Sequence, residues 1–315
     1  MNTVTFTAGL AEDSLSIRRV GDEIQFLSET FYGTVRGKGK RKRTVNHHLF
    51  RPAPCNVTPT VHNTDNIRIA LNPDENADLD ISLEGGALAP GASAEADGSS
   101  EIEVAVQLGS GDESVTFVGG AEADHFVFGS QQSMAGVNLN PDAEASPDVD
   151  ATISPPVDPL DPEPTAVGAG AHTGAGDDVV TTSGGPGFDG PLGGFFEANG
   201  GPGNDSLSGG TSPFTFIKGA TGADNIQGGP RINLLFGGGG PDTITGGPGR
   251  DIVELGKGRD LAVLDGGRDI VSAFDHMRDW VQCGDRPDLV GKDRKDRTPG
   301  CERKFFVPFH PKPLA

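Results

Sequence analysis

The sequence predicts an all-β fold, a right-handed parallel β-roll or β-solenoid, on three observations. Glycines recur in pairs about nine residues apart from Gly200 onward. An aspartate and an aliphatic residue hold fixed places within those units. Upstream, short runs alternate apolar and polar side chains with the period of two that marks a strand.

Composition bounds the rest. Of 315 residues only 34% are hydrophobic, with one Trp and one Tyr against 48 Gly and 24 Pro. Glycine and proline at that level point to disorder or to a repeat architecture. The formal net charge of −20 argues against a nucleic-acid partner, because phosphate binding needs Lys and Arg. It leaves a solvated acidic surface or a store of cation ligands, and spacing must decide between them. No run approaches the roughly 18 apolar residues of a membrane span, so no transmembrane segment is expected. The start, MNTVTFTAGLAEDSLSIRR, shows no basic n-region and no apolar h-region, so no signal peptide is visible.

Residues 1–130 read as an irregular β-rich region, with a degenerate β-solenoid as one form of it. NIRIAL sets Ile67, Ile69 and Leu71 on one face. DLDISLEGG does the same with Leu79, Ile81 and Leu83, and EIEVAVQL with Ile102, Val104, Val106 and Leu108. The basic run RGKGKRKRTVNHHLFRP, residues 36–52, reads either as a contact for an anionic surface or as a solvated loop between strands. His47 and His48 within it are not followed by a ligand set. Residues 131–170, rich in Pro, Asp and Ala without hydrophobic period, read as an acidic linker or insertion. Residues 171–272 hold the repeat array, and 273–315 a C-terminal cap.

The array cuts into units of nearly constant length: GGPGNDSLS, GGTSPFTFIK, GATGADNIQ, GGPRINLLF, GGGGPDTIT, GGPGRDIVE, LGKGRDLAV and LDGGRDIVS, from Gly200 to Ser272. Asp205, Asp224, Asp242, Asp251, Asp260 and Asp269 hold the sixth place, and an earlier copy, GAGDDVV, puts Asp178 there. The glycines at the first, second and fourth places are Gly200, Gly201 and Gly203; Gly219 and Gly222; Gly237, Gly238 and Gly240; Gly246, Gly247 and Gly249; then Gly258 and Gly267. GGAEADHFV, with Asp124, is a weaker copy.

This pattern resembles the RTX, or haemolysin-type, calcium-binding nonapeptide G-G-x-G-x-D-x-U-x, with U aliphatic. The resemblance covers about a quarter of the chain and implies a β-roll whose glycine-rich turns bind several calcium ions through the aspartates and glycines named above. Elementary physics is compatible with it. A glycine-rich turn and a three-residue strand form neither helix nor hairpin, but two units can make one turn of a flattened coil whose turns stack about 4.8 Å apart. Leu207, Ile226 and Ile244 then line one face of a thin core, with Leu235, Val253 and Val271 on the other. Sixth-place aspartates 18 residues apart fall on one edge and repel, which a hard divalent cation relieves. On this spacing Asp178 has no partner in register. GGTSPFTFIK lacks the aspartate and GGPRINLLF has Asn233 in its place, so their edge is a doubtful calcium site until Asp251 and Asp269. The alternative is a metal-free glycine-rich solenoid whose aspartates make Asx turns.

The segment CGDRPDLVGKDRKDRTPGCE resembles the closing segment of secreted actinobacterial proteins with these repeats, which implies a disulfide between Cys283 and Cys301. That bridge implies an oxidising compartment and an extracellular or cell-surface location, leaving Cys55 free. A two-cysteine zinc site is the alternative and lacks histidines at a recognisable spacing. No H-E-x-x-H or G-x-S-x-G motif is present. The expectation is therefore a non-enzymatic calcium-binding module with a structural or interaction role, its partner a cell-surface or polysaccharide ligand. The alternative is an enzyme acting on an extracellular polysaccharide.

Overall fold

The computed structural model describes residues 3–7, 14–36, 43–52, 59–62, 64, 66–71, 78–86, 102–108, 114–131, 134–139, 150–155, 168–185 and 188–305. Among these residues every strand lies in one of two 13-stranded sheets and no helix occurs. Through the array, successive strands alternate between the sheets, so two repeat units make one turn of a parallel β-solenoid. In the first sheet Leu207, Ile226, Ile244, Ala262 and Val281 stack in register. In the second, Ile217, Leu235, Val253, Val271 and Val290 do so. All ten are at most 1% exposed, and the core between the sheets is as thin as one aliphatic per unit implies.

The two faces differ in a way the repeat does not announce. First-sheet strands have the expected three residues, as in Asn225–Gln227 and Thr243–Thr245. Second-sheet strands run for eight, as in Phe214–Thr221, Ile232–Gly239 and Arg250–Lys257. They continue through the glycine pair of the following unit, where Ala220, Gly238 and Gly256 stay in register. With almost no side chains to spread them, neighbouring turns keep their backbone pairing around that edge.

The upstream strands join the same two sheets. Ser114–Val118 pairs in parallel with Ala169–His172, which pairs with Phe195–Pro202. The alternating residues at 67–71, 79–83 and 102–108 are buried as their period of two requires. The core is thicker here: Phe117, Phe126, Phe128 and Phe196 are fully buried, and Phe128 meets Phe117 and Phe196 edge to face at 5.9 and 5.2 Å. The far end of the second sheet turns antiparallel through Ser14–Val20, Glu23–Arg36 and Arg43–Pro52. The basic run therefore begins on one strand and ends on the next, Arg36 paired with Arg43; residues 37–42 lie outside the described residues, as does Cys55.

The linker expected over 131–170 is corrected in part. Met134–Leu139 and Ala151–Ser154 are strands of the first sheet, paired antiparallel with each other. Ala135, Val137, Ala151 and Ile153 alternate inward and are at most 3% exposed. Each run is too short, and too closely set among Pro and Asp, to show a period in the sequence. Residues 140–149 and 156–167 lie outside the described residues.

Past the array, Trp280–Gln282, Leu289–Lys292 and Arg303–Phe305 add further parallel strands. A disulfide joins Cys283 to Cys301 across 18 positions, both residues buried. Closing a loop of that length stabilises by about 3 kcal/mol through the unfolded chain. Urea unfolding in saturating calcium is expected to show a loss of that order for the Cys283→Ser, Cys301→Ser variant. Equal midpoints for the variant and the oxidised protein would show that the bridge contributes nothing.

Candidate metal centre

The turns bring the sixth-place aspartates into two columns, one along each edge. On the first edge the Asp178 N–H donates to Asp205 Oδ1 at 3.0 Å, and Asp205 N–H to Asp224 Oδ1 at 2.9 Å. Asp224 then donates to Asp242, and Asp242 to Asp260, each at 2.9 Å. On the second edge Asp251 N–H donates to Asp269 Oδ1 at 2.9 Å. One carboxylate oxygen per turn is thereby used to lock adjacent turns.

The other oxygen has no partner. Among the described residues Oδ2 is buried without a hydrogen bond in Asp178, Asp205, Asp224, Asp242, Asp251, Asp260, Asp269, Asp279 and Asp288. Each of these residues is at most 2% exposed. Loss of solvent, with smaller contributions from neighbouring carboxylates, pushes the carboxyls of Asp205, Asp242, Asp260 and Asp269 up to about 6. Desolvation first, and adjacent aspartates second, raise Asp251 and Asp279 to about 7. Asp178 and Asp224 are raised by the same burial. A row of buried anions with orphaned oxygens is an unfavourable arrangement unless a cation joins it.

The glycines shape the cradle around those oxygens. At the first place, a Cβ on Gly200, Gly219, Gly237 or Gly246 would run into Oδ2 of its own unit's aspartate, for Gly237 at 2.6 Å. Leu255 and Leu264 occupy that place in later units and bury their side chains in the core. At the second place, a Cβ on Gly201, Gly238 or Gly247 would strike a backbone carbonyl of the preceding turn. At the fourth place, a Cβ on Gly203, Gly222, Gly240 or Gly258 on one edge, or on Gly249 or Gly267 on the other, would run into the preceding turn's carbonyl oxygen. Gly240 also has φ +131°, a backbone that L side chains rarely adopt.

Carboxylate oxygens beside a column of main-chain carbonyls form a donor set for a hard, oxygen-seeking cation such as calcium. Among the described residues no three His, Cys, Asp or Glu side chains converge, so main-chain carbonyls would have to complete the shell of any cation held here. The orphaned oxygens and the side-chain-free turns therefore fit calcium. Bound there, calcium would supply charge neutralisation and a cross-link between turns.

The comparisons with known proteins agree. A family model described as an RTX calcium-binding nonapeptide repeat matches four copies, over residues 198–212 and 227–262. Over those residues the array is an RTX calcium-binding repeat. No curated protein matches the chain.

The RTX columns extend beyond the residues found by spacing. Asp178 does stand in register, 27 positions before Asp205, because the chain between them makes an excursion in which Gly190–Pro191 pairs with His125–Gln131. Asp124 precedes it, its N–H donating to Asp178 Oδ1 across 54 positions. Downstream, Asp279 and Asp296 continue the first edge and Asp288 the second. Their units have lost most of the glycines, keeping only Gly284 before Asp288 and Gly291 before Asp296, but they keep the aspartate and, two places on, an inward residue, as in Asp279-Trp280-Val281 and Asp288-Leu289-Val290. That pair of places was the signal available. On the second edge Asn233 closes the column neutrally: its Oδ1 accepts from Thr215 Oγ1 at 2.5 Å and Gly229 N–H at 2.7 Å, and its Nδ2 donates to Asp251 at 2.6 Å.

Two outcomes follow from this geometry. Gly240→Ala places a methyl on the Gly222 carbonyl and is expected to raise the calcium midpoint of folding about tenfold or more, from a strain of ~1–2 kcal/mol or greater. Gly193→Ala, with open space around its Cβ, is the control and is expected to leave it unchanged. Circular dichroism titrations of the two variants decide. The carboxyls raised to about 6 and about 7 give the second outcome. A carboxyl raised by folding stabilises the fold below its unfolded value near 4 and withdraws that support as pH rises through 6–7. The chelated protein is expected to lose stability between about pH 4 and about pH 7, and calcium binding to release protons toward the upper end of that range. Calorimetry in buffers of different ionisation enthalpy measures the proton count; zero release would contradict the raised values.

Proposed function

We propose that this protein is an extracellular or cell-surface β-roll folded by calcium, with several ions held along its two aspartate edges and a structural or surface-interaction role. The observation that carries the reading is the row of buried carboxylate oxygens without partners, most of them in turns where a Cβ on the glycine would collide with its neighbours. Asp178, Asp205, Asp224, Asp242 and Asp260 supply carboxylates on the first edge and Asp251 and Asp269 on the second, with the stacked glycine carbonyls beside them. The extracellular assignment draws on the Cys283–Cys301 bridge, since structural disulfides persist in oxidising compartments. It also draws on calcium itself, whose extracellular modules work at ~0.1–1 mM. Among the described residues no helix is long and apolar enough to cross a membrane.

In this reading calcium is a folding ligand. Each carboxylate recurs in the same setting, which supports stacking and supplies no distinct combination of nucleophile, base and charge stabiliser. Far-UV circular dichroism of the whole chain tests the proposal. The expected result is a gain of β-structure on going from chelator to millimolar calcium, with magnesium substituting poorly because it demands octahedral geometry and dehydrates reluctantly. Superimposable spectra in chelator and in calcium would defeat it.

A further inference from the structure

The C-terminal end of the solenoid carries a surface charge opposite to that of the chain as a whole. Between residues 250 and 305 eleven Lys and Arg are exposed against four Asp and Glu. Six more aspartates of this stretch are buried in the two columns and give nothing to the surface. Between residues 171 and 249 the only Lys and Arg are Lys218 and Arg231. The change occurs in register: beside the first-edge column the fifth place holds Asp177, Asn204, Ala223 and Pro241 on successive turns, then Arg259 and Arg278.

A groove of about 570 Å³ opens at that point, lined by Pro241, Arg259, Leu261, Arg278, Trp280 and Arg297. Asp260 and Asp279 also border it but are at most 2% exposed. Leu261 pairs with Trp280, and Trp280 with Arg297, so the three form one column along the solenoid axis. Arg259 and Arg278 precede the first two by two residues and form a parallel row. Trp280 is 41% exposed. Among the described residues the guanidiniums of Arg259, Arg278 and Arg297 make no ion pair and no hydrogen bond. The opposite edge repeats the plan, with Arg250 and Arg268 beside the exposed Leu289.

We propose that this groove binds an extended carboxylate-bearing glycan, with the arginines on its acid groups and Trp280 against a sugar ring. Guanidinium forks match planar carboxylates, and turns stacked about 4.8 Å apart offer them to a linear chain at regular intervals. An amphipathic indole face suits the apolar side of a sugar ring. A single-stranded nucleic acid would call for successive aromatic platforms, and the chain has one tryptophan. A single row of arginines running along the solenoid axis also fits a linear chain better than a membrane surface. The proposal rests on the calcium-folded reading, because Asp260 and Asp279 belong to the turns that carry the arginines.

Trp280 is the only tryptophan, so its fluorescence reports the groove directly. The whole protein, in calcium, is titrated with hexagalacturonate, with neutral cellohexaose and with an oligothymidylate, and circular dichroism is recorded on the same samples. The expected result is a saturable fluorescence change with hexagalacturonate alone, weakened about tenfold or more in the Arg259→Gln, Arg278→Gln variant. That variant is expected to keep the calcium-induced spectrum. Absence of a response, an equal response to cellohexaose, tighter binding of the oligothymidylate, or undiminished binding by the variant would each overturn the proposal. If the circular dichroism responds to calcium while the glycan fails, the groove assignment falls and the calcium reading stands. If glycan binding persists in a protein whose spectrum ignores calcium, the reverse holds.

Discussion

A buried carboxylate oxygen with no donor in reach is the constraint on which the rest of this solenoid depends. It requires a turn with room for the carboxyl and nothing beside it, which is why a methyl on Gly219 or Gly237 would collide with the aspartate five places later. It also requires neighbouring turns to sit in strict register, since each Asp N–H finds the next turn's Oδ1 only when the backbones stack directly. One carboxylate therefore both locks a turn to the next and leaves an open valence for a cation. The core cannot replace that cation, because one aliphatic per nine residues buries too little apolar surface to hold glycine-rich chain in place.

The two ends of the molecule answer this constraint differently. Toward the N-terminal end, Phe117, Phe126, Phe128 and Phe196 fill the space between the sheets, and dispersion and burial do the stabilising. In the array, side chains shrink to Leu, Ile, Val and Ala and the aspartate edges take over. Strand pairing runs without interruption from one regime to the other, through Ser114–Val118, Ala169–His172 and Phe195–Pro202. An end with an aromatic core of that kind offers a template on which the first RTX turn can stack, so that ordering of the array need not begin from a free chain.

What the sequence made legible is what repeats at constant spacing. The core columns through Leu207 and Leu235 and the aspartates from Asp205 to Asp269 could be placed because the pattern has one period and each unit shares it. What it hid is what the fold tolerates between units. The spacing of 27 between Asp178 and Asp205 disguised a true neighbour, since a solenoid absorbs an outward excursion without disturbing its register. Asp279, Asp288 and Asp296 were hidden for the opposite reason: most of the glycine, the most conspicuous part of the signal, had gone while the aspartate kept its place. The strands at Met134–Leu139 and Ala151–Ser154 could not be seen because two inward residues apiece make no period.

Formal charge was the least reliable guide, and the reason is physical. A net charge of −20 counts every carboxylate, including those that the fold removes from water. Those buried groups are the ones whose protons are held to about 6 or 7, and the ones that a bound cation would neutralise. The surface seen by a partner is therefore set by the residues left outside. At the C-terminal end these are mostly Arg and Lys, and Arg250, Arg259, Arg268, Arg278 and Lys295 stand one place before a hidden aspartate. The R-D step at Arg259-Asp260, Arg268-Asp269 and Arg278-Asp279 reads as a neutral pair in the sequence, but the turn separates its members, sending the acid inward and the base out. An acidic protein can in this way present a basic face, and the nine-residue period that builds the cation edge also spaces the arginines along it.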